Sequence, residues 1–388
     1  MRHFPPITVI LVLWLTGLGA AAQFAKVGLV LPELATMYPS AGTFLGFLVS
    51  SISFVGAILG LFAGSLAAKI GLRKLLLTGI VLGAAASLLQ SIGLPILLLL
   101  ASRIIEGIAH LAIVVSAPTL VALSSSDRMR AAAMTLWGSF FGVSYALTAW
   151  IGLPLVAKHG VNTLFFTHGV LMSVAALLVI LVVPAGKTEY VKAARQSLDL
   201  SMIFRLHKEA WSSPFVAAPA AGWLFYTLTF VALLTVLPGM MPPEDRSFTA
   251  TALPLASILS SMTLGVLLLQ WLSAVAVIQI GLIAGICMAF ILAFIPDTPW
   301  PAVALFAALG LMQGATFAAV PQLNHTAHHQ ALANGTIAQA GNVGNALGTP
   351  LLLTLLATGG FKAVIAMVVF CYVAALCSHA VFAKKREF

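Results

Sequence analysis

The sequence predicts an all-α integral membrane protein of twelve transmembrane helices in two six-helix bundles, and three observations predict it. Of 388 residues, 61% are hydrophobic and 7% charged, with a mean hydropathy of +1.08, well outside the range of soluble domains. Twelve apolar runs are long enough to cross a hydrocarbon core of ~30 Å at ~1.5 Å of rise per helical residue. The cations outside those runs are distributed unevenly, fourteen on one side of the bilayer against three on the other, as the positive-inside rule requires. Such a composition excludes a soluble enzyme. The formal charge of +9 reads as orientation in a bilayer rather than nucleic-acid binding, because the basic residues lie in short clusters between apolar runs.

In chain order the runs are 7–34, 42–68, 74–94, 96–123, 130–156, 161–184, 214–240, 247–270, 273–295, 300–322, 332–358 and 361–383. The first is too long for a signal-peptide core and leads into no small-residue cleavage site, so it is expected to be a span. A polar segment between the sixth and seventh carries Lys187, Lys192, Arg195, Arg205 and Lys208. It divides the chain into a bundle at 1–184, a linker at 185–213 and a bundle at 214–388. With the N-terminus in the cytoplasm, fourteen cations fall inside and only Lys158, Arg246 and Lys362 outside, while Lys26 and Arg103 stay within spans. One span more or fewer would invert every later loop. Both termini are therefore expected in the cytoplasm, at a bacterial inner (plasma) membrane. Cys287, Cys371 and Cys377 sit inside apolar runs without metal-ligand spacing and read as packing residues.

The loop after the second span reads Gly64-Ser65-Leu66-Ala67-Ala68-Lys69-Ile70-Gly71-Leu72-Arg73-Lys74. Together with the six-plus-six topology it resembles the major facilitator superfamily, whose signature there is Gly-x-Leu-x-Asp-Arg-x-Gly-Arg-Lys/Arg. Gly64, Lys69, Gly71, Arg73 and Lys74 match as an inner gate motif, but Ala68 stands where the family has its acid. A second match is Arg103-Ile104-Ile105-Glu106-Gly107-Ile108-Ala109, against Arg-x-x-Gln-Gly-x-Gly in the fourth span. The resemblance implies a secondary transporter working by alternating access, with the first, fourth, seventh and tenth helices lining its cavity. The chain further resembles compact bacterial drug and metabolite exporters. The fifth-span antiporter signature is incomplete at Gly138 and Gly142-Val143-Ser144-Tyr145.

The fourth run buries Arg103, Glu106 and His110, which offsets of three and seven residues hold within roughly 60° on one helical face. Charges facing lipid cost several kcal/mol, so this stripe must face protein or a water-filled cavity. Lys26 lies at a similar depth in the first span, with Gln23 one turn before it. Gln23, Lys26 and Arg103 are candidate substrate ligands for an anion or zwitterion, although Lys26 and Glu106 could instead simply neutralise each other. His110, which titrates near ~6.5 when unperturbed, and Glu106 are candidate proton carriers, with Arg103 holding the carboxylate until substrate competes. The second half offers rings and amides: Trp223, Tyr226 and Phe230 in the seventh span, Gln313 in the tenth and Asn342 in the eleventh.

The expected activity is proton-coupled transport of a small organic solute outward, with uptake of a small organic anion by symport and multidrug/proton antiport as alternatives. The expected partners are that solute, protons and the lipid bilayer; the protein is expected to act as a monomer without cofactor, bound metal or nucleic acid. A distant alternative, a membrane di-iron enzyme, rests on the His-x-x-His-His form of His325, His328 and His329, but one such box cannot hold two irons. No phosphate-binding glycine loop points to direct use of ATP.

Overall fold

A computed structural model describes residues 4–60, 71–184 and 200–387. Among the described residues ten helices are long and apolar enough to cross a membrane. They include Pro6–Gly28, Leu72–Gln90, Ile96–Ser124, Val161–Val182, Ala217–Met240, Ala274–Phe294 and Pro299–Leu323. The second span, Pro39–Ser50 with Ile52–Leu59, is bent by 46° and adds an eleventh. The twelfth is hidden in the final helix, Ala327–Arg386. Sixty residues of unbroken helix would run ~90 Å, three times the hydrocarbon core. Gly360 breaks it, at φ 67° and ψ −167°, a backbone region that only glycine enters at little cost.

Packing order shows that the chain reverses there. Ideal Cβ positions on Gly341, Gly344 and Gly348 fall against Trp223, Thr227 and Leu228, ascending along the seventh span. Beyond the break, Tyr372 accepts a hydrogen bond from Thr229 (3.2 Å) and His379 sits against Gly222, a descending order. The eleventh and twelfth spans are thus antiparallel, with the seventh packed on both. Small residues let such backbones approach where no hydrophobic force drives helices together.

By contact the chain forms two compact units, Met1–Ser40 with Phe62–Leu198 and Ala41–Leu61 with Asp199–Phe388. The boundary differs from a cut at the polar linker in two places. First, the second span groups with the later helices. Gly46 meets the Pro350 backbone, Gly56 leaves no room for a Cβ beside the Asn342 amide, and Gln339 Nε2 donates to the Ala57 carbonyl (3.0 Å). Second, part of the linker is a helix, Leu200–Ser212, whose Leu206 and Ala210 pack with Val216, Leu332 and Ile337.

In the first unit the apolar core gathers Val9 and Leu13, Leu76 and Ile80, Ile113 and Val121, Trp137, and Met172 and Val179. These lie toward one end of the helices, since the buried polar residues Lys26, Ser87 and Gln90 lie further along the first and third spans, and Arg103, Glu106 and His168 earlier along the fourth and sixth. Two π-helical turns interrupt the fifth and eighth spans at Thr148–Gly152 and Ser261–Gly265.

Candidate functional site

Four spans of the first unit bring polar side chains into one buried cluster. From the first span, Lys26 Nζ donates to Ser87 Oγ (2.5 Å), Gln90 Oε1 (2.7 Å) and Glu106 Oε1 (2.6 Å), so all three ammonium protons are used. Arg103 pairs with the other oxygen of Glu106 one turn away on the fourth span, and Gln90 Nε2 donates to that oxygen as well (2.8 Å). Gln90 Nε2 also donates to Ser102 Oγ (2.9 Å). Lys26, Arg103 and Glu106 are fully buried. The Lys26 ammonium lies 5.3 Å from the centre of the Phe165 ring, a cation–π contact.

Two cations thus share one carboxylate. Desolvating three charges costs several kcal/mol for each, which their attraction and the amide and hydroxyl bonds must offset. With both cations protonated and the carboxylate ionised, the cluster carries one net positive charge.

His110 stands apart from this network. Its Nδ1 bonds the Ala20 carbonyl (3.1 Å), and its ring meets Phe24 edge to face at 5.1 Å. The histidine that joins the cluster is His168 of the sixth span, which bridges Ser87 Oγ (2.7 Å, through Nδ1) and the Gly19 carbonyl (2.9 Å, through Nε2). Gln23 is buried, pressed against Gly83, with neither amide atom hydrogen-bonded among the described residues. Tyr145 of the fifth span is likewise buried with an unpaired hydroxyl, within the field of Arg103 and beside Phe141. Unpaired buried polar groups are costly. A largely apolar cavity of about 310 Å³, open beside the exposed Leu15, Ile151 and Leu171, lies among the first, fifth and sixth spans, with Lys26 and His168 in its wall.

Ser87, Gln90, Ser102, Tyr145 and His168 escape a reading of sequence alone. One signal was present: Ser87 and Gln90 lie three residues apart on one face of the third span, polar groups in an apolar run.

Of the gate motif, Gly64 and Lys69 lie outside the described residues. Gly71 has φ 90° just before the third span. Arg73 donates through Nε to Val183 O (2.8 Å) and through Nη2 to Ile180 O (3.0 Å), satisfying carbonyls at the end of the sixth span. Lys74 is exposed.

In the second unit Trp223, Tyr226 and Phe230 form a stacked column, with ring centres 4.6 and 4.9 Å apart. Phe317 closes on Trp223 and Phe306 on Phe230. Gln313 accepts from Ser257 Oγ (3.0 Å). Asn342 donates to its own helix at Ala338 and abuts Gly56, an interhelical packing position. Among the described residues no group of three His, Cys, Asp or Glu side chains could hold a metal ion. The His328 side chain lies outside the description.

The family model for the Major Facilitator Superfamily matches residues 13–349. The chain belongs to the major facilitator superfamily. That superfamily comprises multi-pass membrane transporters, a non-enzyme class, and the first-half cluster is a set of charges within a helical bundle of its fold. Curated superfamily relatives include the inner membrane transport protein YajR of Escherichia coli (strain K12), 24% identical over 60% of this chain and 51% of that protein. The methylenomycin A resistance protein of Bacillus subtilis (strain 168) is 26% identical over 56% of this chain and 46% of its own length. The chain thus spans about half the length of the curated relatives it matches. A crystal structure of a bacterial homologue of the human lysosomal transporter Spinster, inward-facing and unoccupied, superposes with a TM-score of 0.76 at 15% identity. It covers 99% of both chains and shares the superfamily fold.

Proposed function

We propose that this superfamily member is a proton-coupled secondary transporter that moves a small organic anion or zwitterion by alternating access, and moves it outward. The observation that carries the reading is the sharing of Glu106 by Lys26 and Arg103 in a fully buried cluster. An incoming carboxylate takes the place of Glu106 on Arg103, and the released Glu106 binds a proton. Gln23 and Tyr145 supply further hydrogen bonds to the solute. The outward direction is supported by the relative named as a resistance protein. The two predicted cytoplasmic termini fit an inner-membrane protein, and the protein works as a monomer.

The test is transport by purified protein in proteoliposomes, across a panel of organic acids and amino-acid-like zwitterions with an imposed pH gradient. Glu106→Gln is expected to abolish accumulation against the gradient while exchange of labelled for unlabelled solute persists. Undiminished uphill transport by that variant would exclude the role of Glu106. Uptake by symport would show the same loss with the opposite gradient dependence.

A further inference from the structure

With Glu106 ionised and His168 neutral, the contacts of Ser87 cannot all be hydrogen bonds at once. Its Oγ lies 2.5 Å from Lys26 Nζ, 2.7 Å from His168 Nδ1 and 3.0 Å from Glu106 Oε1. Lys26 donates. The single hydroxyl proton can then go to His168 or to Glu106, not both. On the far side of the ring, Nε2 lies 2.9 Å from the Gly19 carbonyl, which only accepts, so Nε2 carries a hydrogen. A neutral His168 therefore has its lone pair on Nδ1, aimed at Ser87.

We infer that Glu106, Ser87 and His168 form a proton relay, in which His168 is the second resting place of the proton that the transport cycle places on Glu106. With Glu106 protonated, its O–H donates to Ser87 Oγ and the Ser87 O–H donates to His168 Nδ1. The Glu106 O–H bond breaks as the proton binds Ser87 Oγ, and the former Ser87 proton bonds to Nδ1. The hydroxyl, holding the proton received along that line, donates it to an ionised Glu106, and His168 is a cation with both nitrogens donating. Every atom balances, and each of the two states satisfies all three contacts. The relay spans the fourth, third and sixth helices, and His168 lies in the wall of the cavity among the first, fifth and sixth. It moves the proton off the carboxylate that must pair again with Arg103. Groups facing His168 are Lys26 and the Gly19 carbonyl from the first span, Ser87 from the third, and Glu106 and Arg103 from the fourth.

The inference rests on the proton-coupled reading above, yet its test needs no solute, so failure of one leaves the other standing. The full chain, labelled with ¹⁵N-histidine, is placed in lipid nanodiscs and titrated by NMR, with the His168 signals assigned by their loss in His168→Asn. In the unmodified protein the neutral His168 is expected as the Nε2–H tautomer; an Nδ1–H tautomer overturns the relay. Glu106→Gln is expected to move the His168 midpoint by about one pH unit or more, the scale of directly coupled groups. Ser87→Ala is expected to remove most of that dependence and Ser87→Thr, which keeps a hydroxyl, to preserve it. A midpoint indifferent to Glu106→Gln, or one that moves equally in the S87A background, means that the carboxylate acts at most through space and sinks the relay.

Discussion

Glu106 holds two cations, and single substitutions in the cluster should not cost the same. Glu106→Ala strands both Lys26 and Arg103 without a counter-charge, and a buried pair broken from one side costs about 3–5 kcal/mol. Lys26→Met leaves Glu106 on Arg103 and Gln90, so its loss is expected to be the smaller of the two in thermal unfolding of the purified protein. Equal losses would mean that Arg103 does not hold the carboxylate. The cluster's charged members were legible because an ion within an apolar run has few reasons to be there. Its neutral members were not, since Ser, Gln and His at such positions look like ordinary packing residues until the neighbouring helices are placed. His110 and His168 show the limit: spacing along one helix points to the first, whereas the hydrogen bond that joins the second to Ser87 is made across helices and leaves no mark in the sequence.

At the level of helices, a glycine within a span is needed most where another backbone arrives. A Cβ on Gly348 would lie 2.2 Å from the Leu228 carbonyl, an atom that cannot rotate away, whereas nothing lies within 4 Å of one on Gly138. Gly348→Val is expected to abolish a monodisperse peak in size-exclusion chromatography. Gly138→Ala is expected to leave it intact and to raise stability by about 0.5–1 kcal/mol in thermal melts, through loss of unfolded-state freedom. Arg73 caps the sixth span through two carbonyls, a fork geometry that Lys cannot supply. Arg73→Lys should therefore lower the melting temperature nearly as far as Arg73→Ala. Hydropathy located the spans, because burial in lipid writes itself into composition. It did not show that the second span groups with the eleventh, because Gly56 and Asn342 are recognisable as neighbours only in three dimensions. Nor did it show the helix Leu200–Ser212, which an otherwise polar segment conceals.

For the whole molecule, the uneven distribution of cations predicts both ends of the chain in the cytoplasm. Fluorescent protein fused at the C-terminus is expected to glow, and a cysteine introduced at Lys158 to react with an impermeant reagent from outside intact cells. A dark fusion or a shielded position 158 would overturn the orientation. The count of twelve was legible because each run matches the bilayer in length; two of them share one continuous helix assignment only because their connection is so short. That connection is Gly360. With a single residue as the bend, the last two spans have no hydrophilic stretch between them to be threaded through the insertion machinery. They are suited to leave it side by side, as one hairpin, and any tag or glycan acceptor inserted at that tip would have to create the loop it occupies.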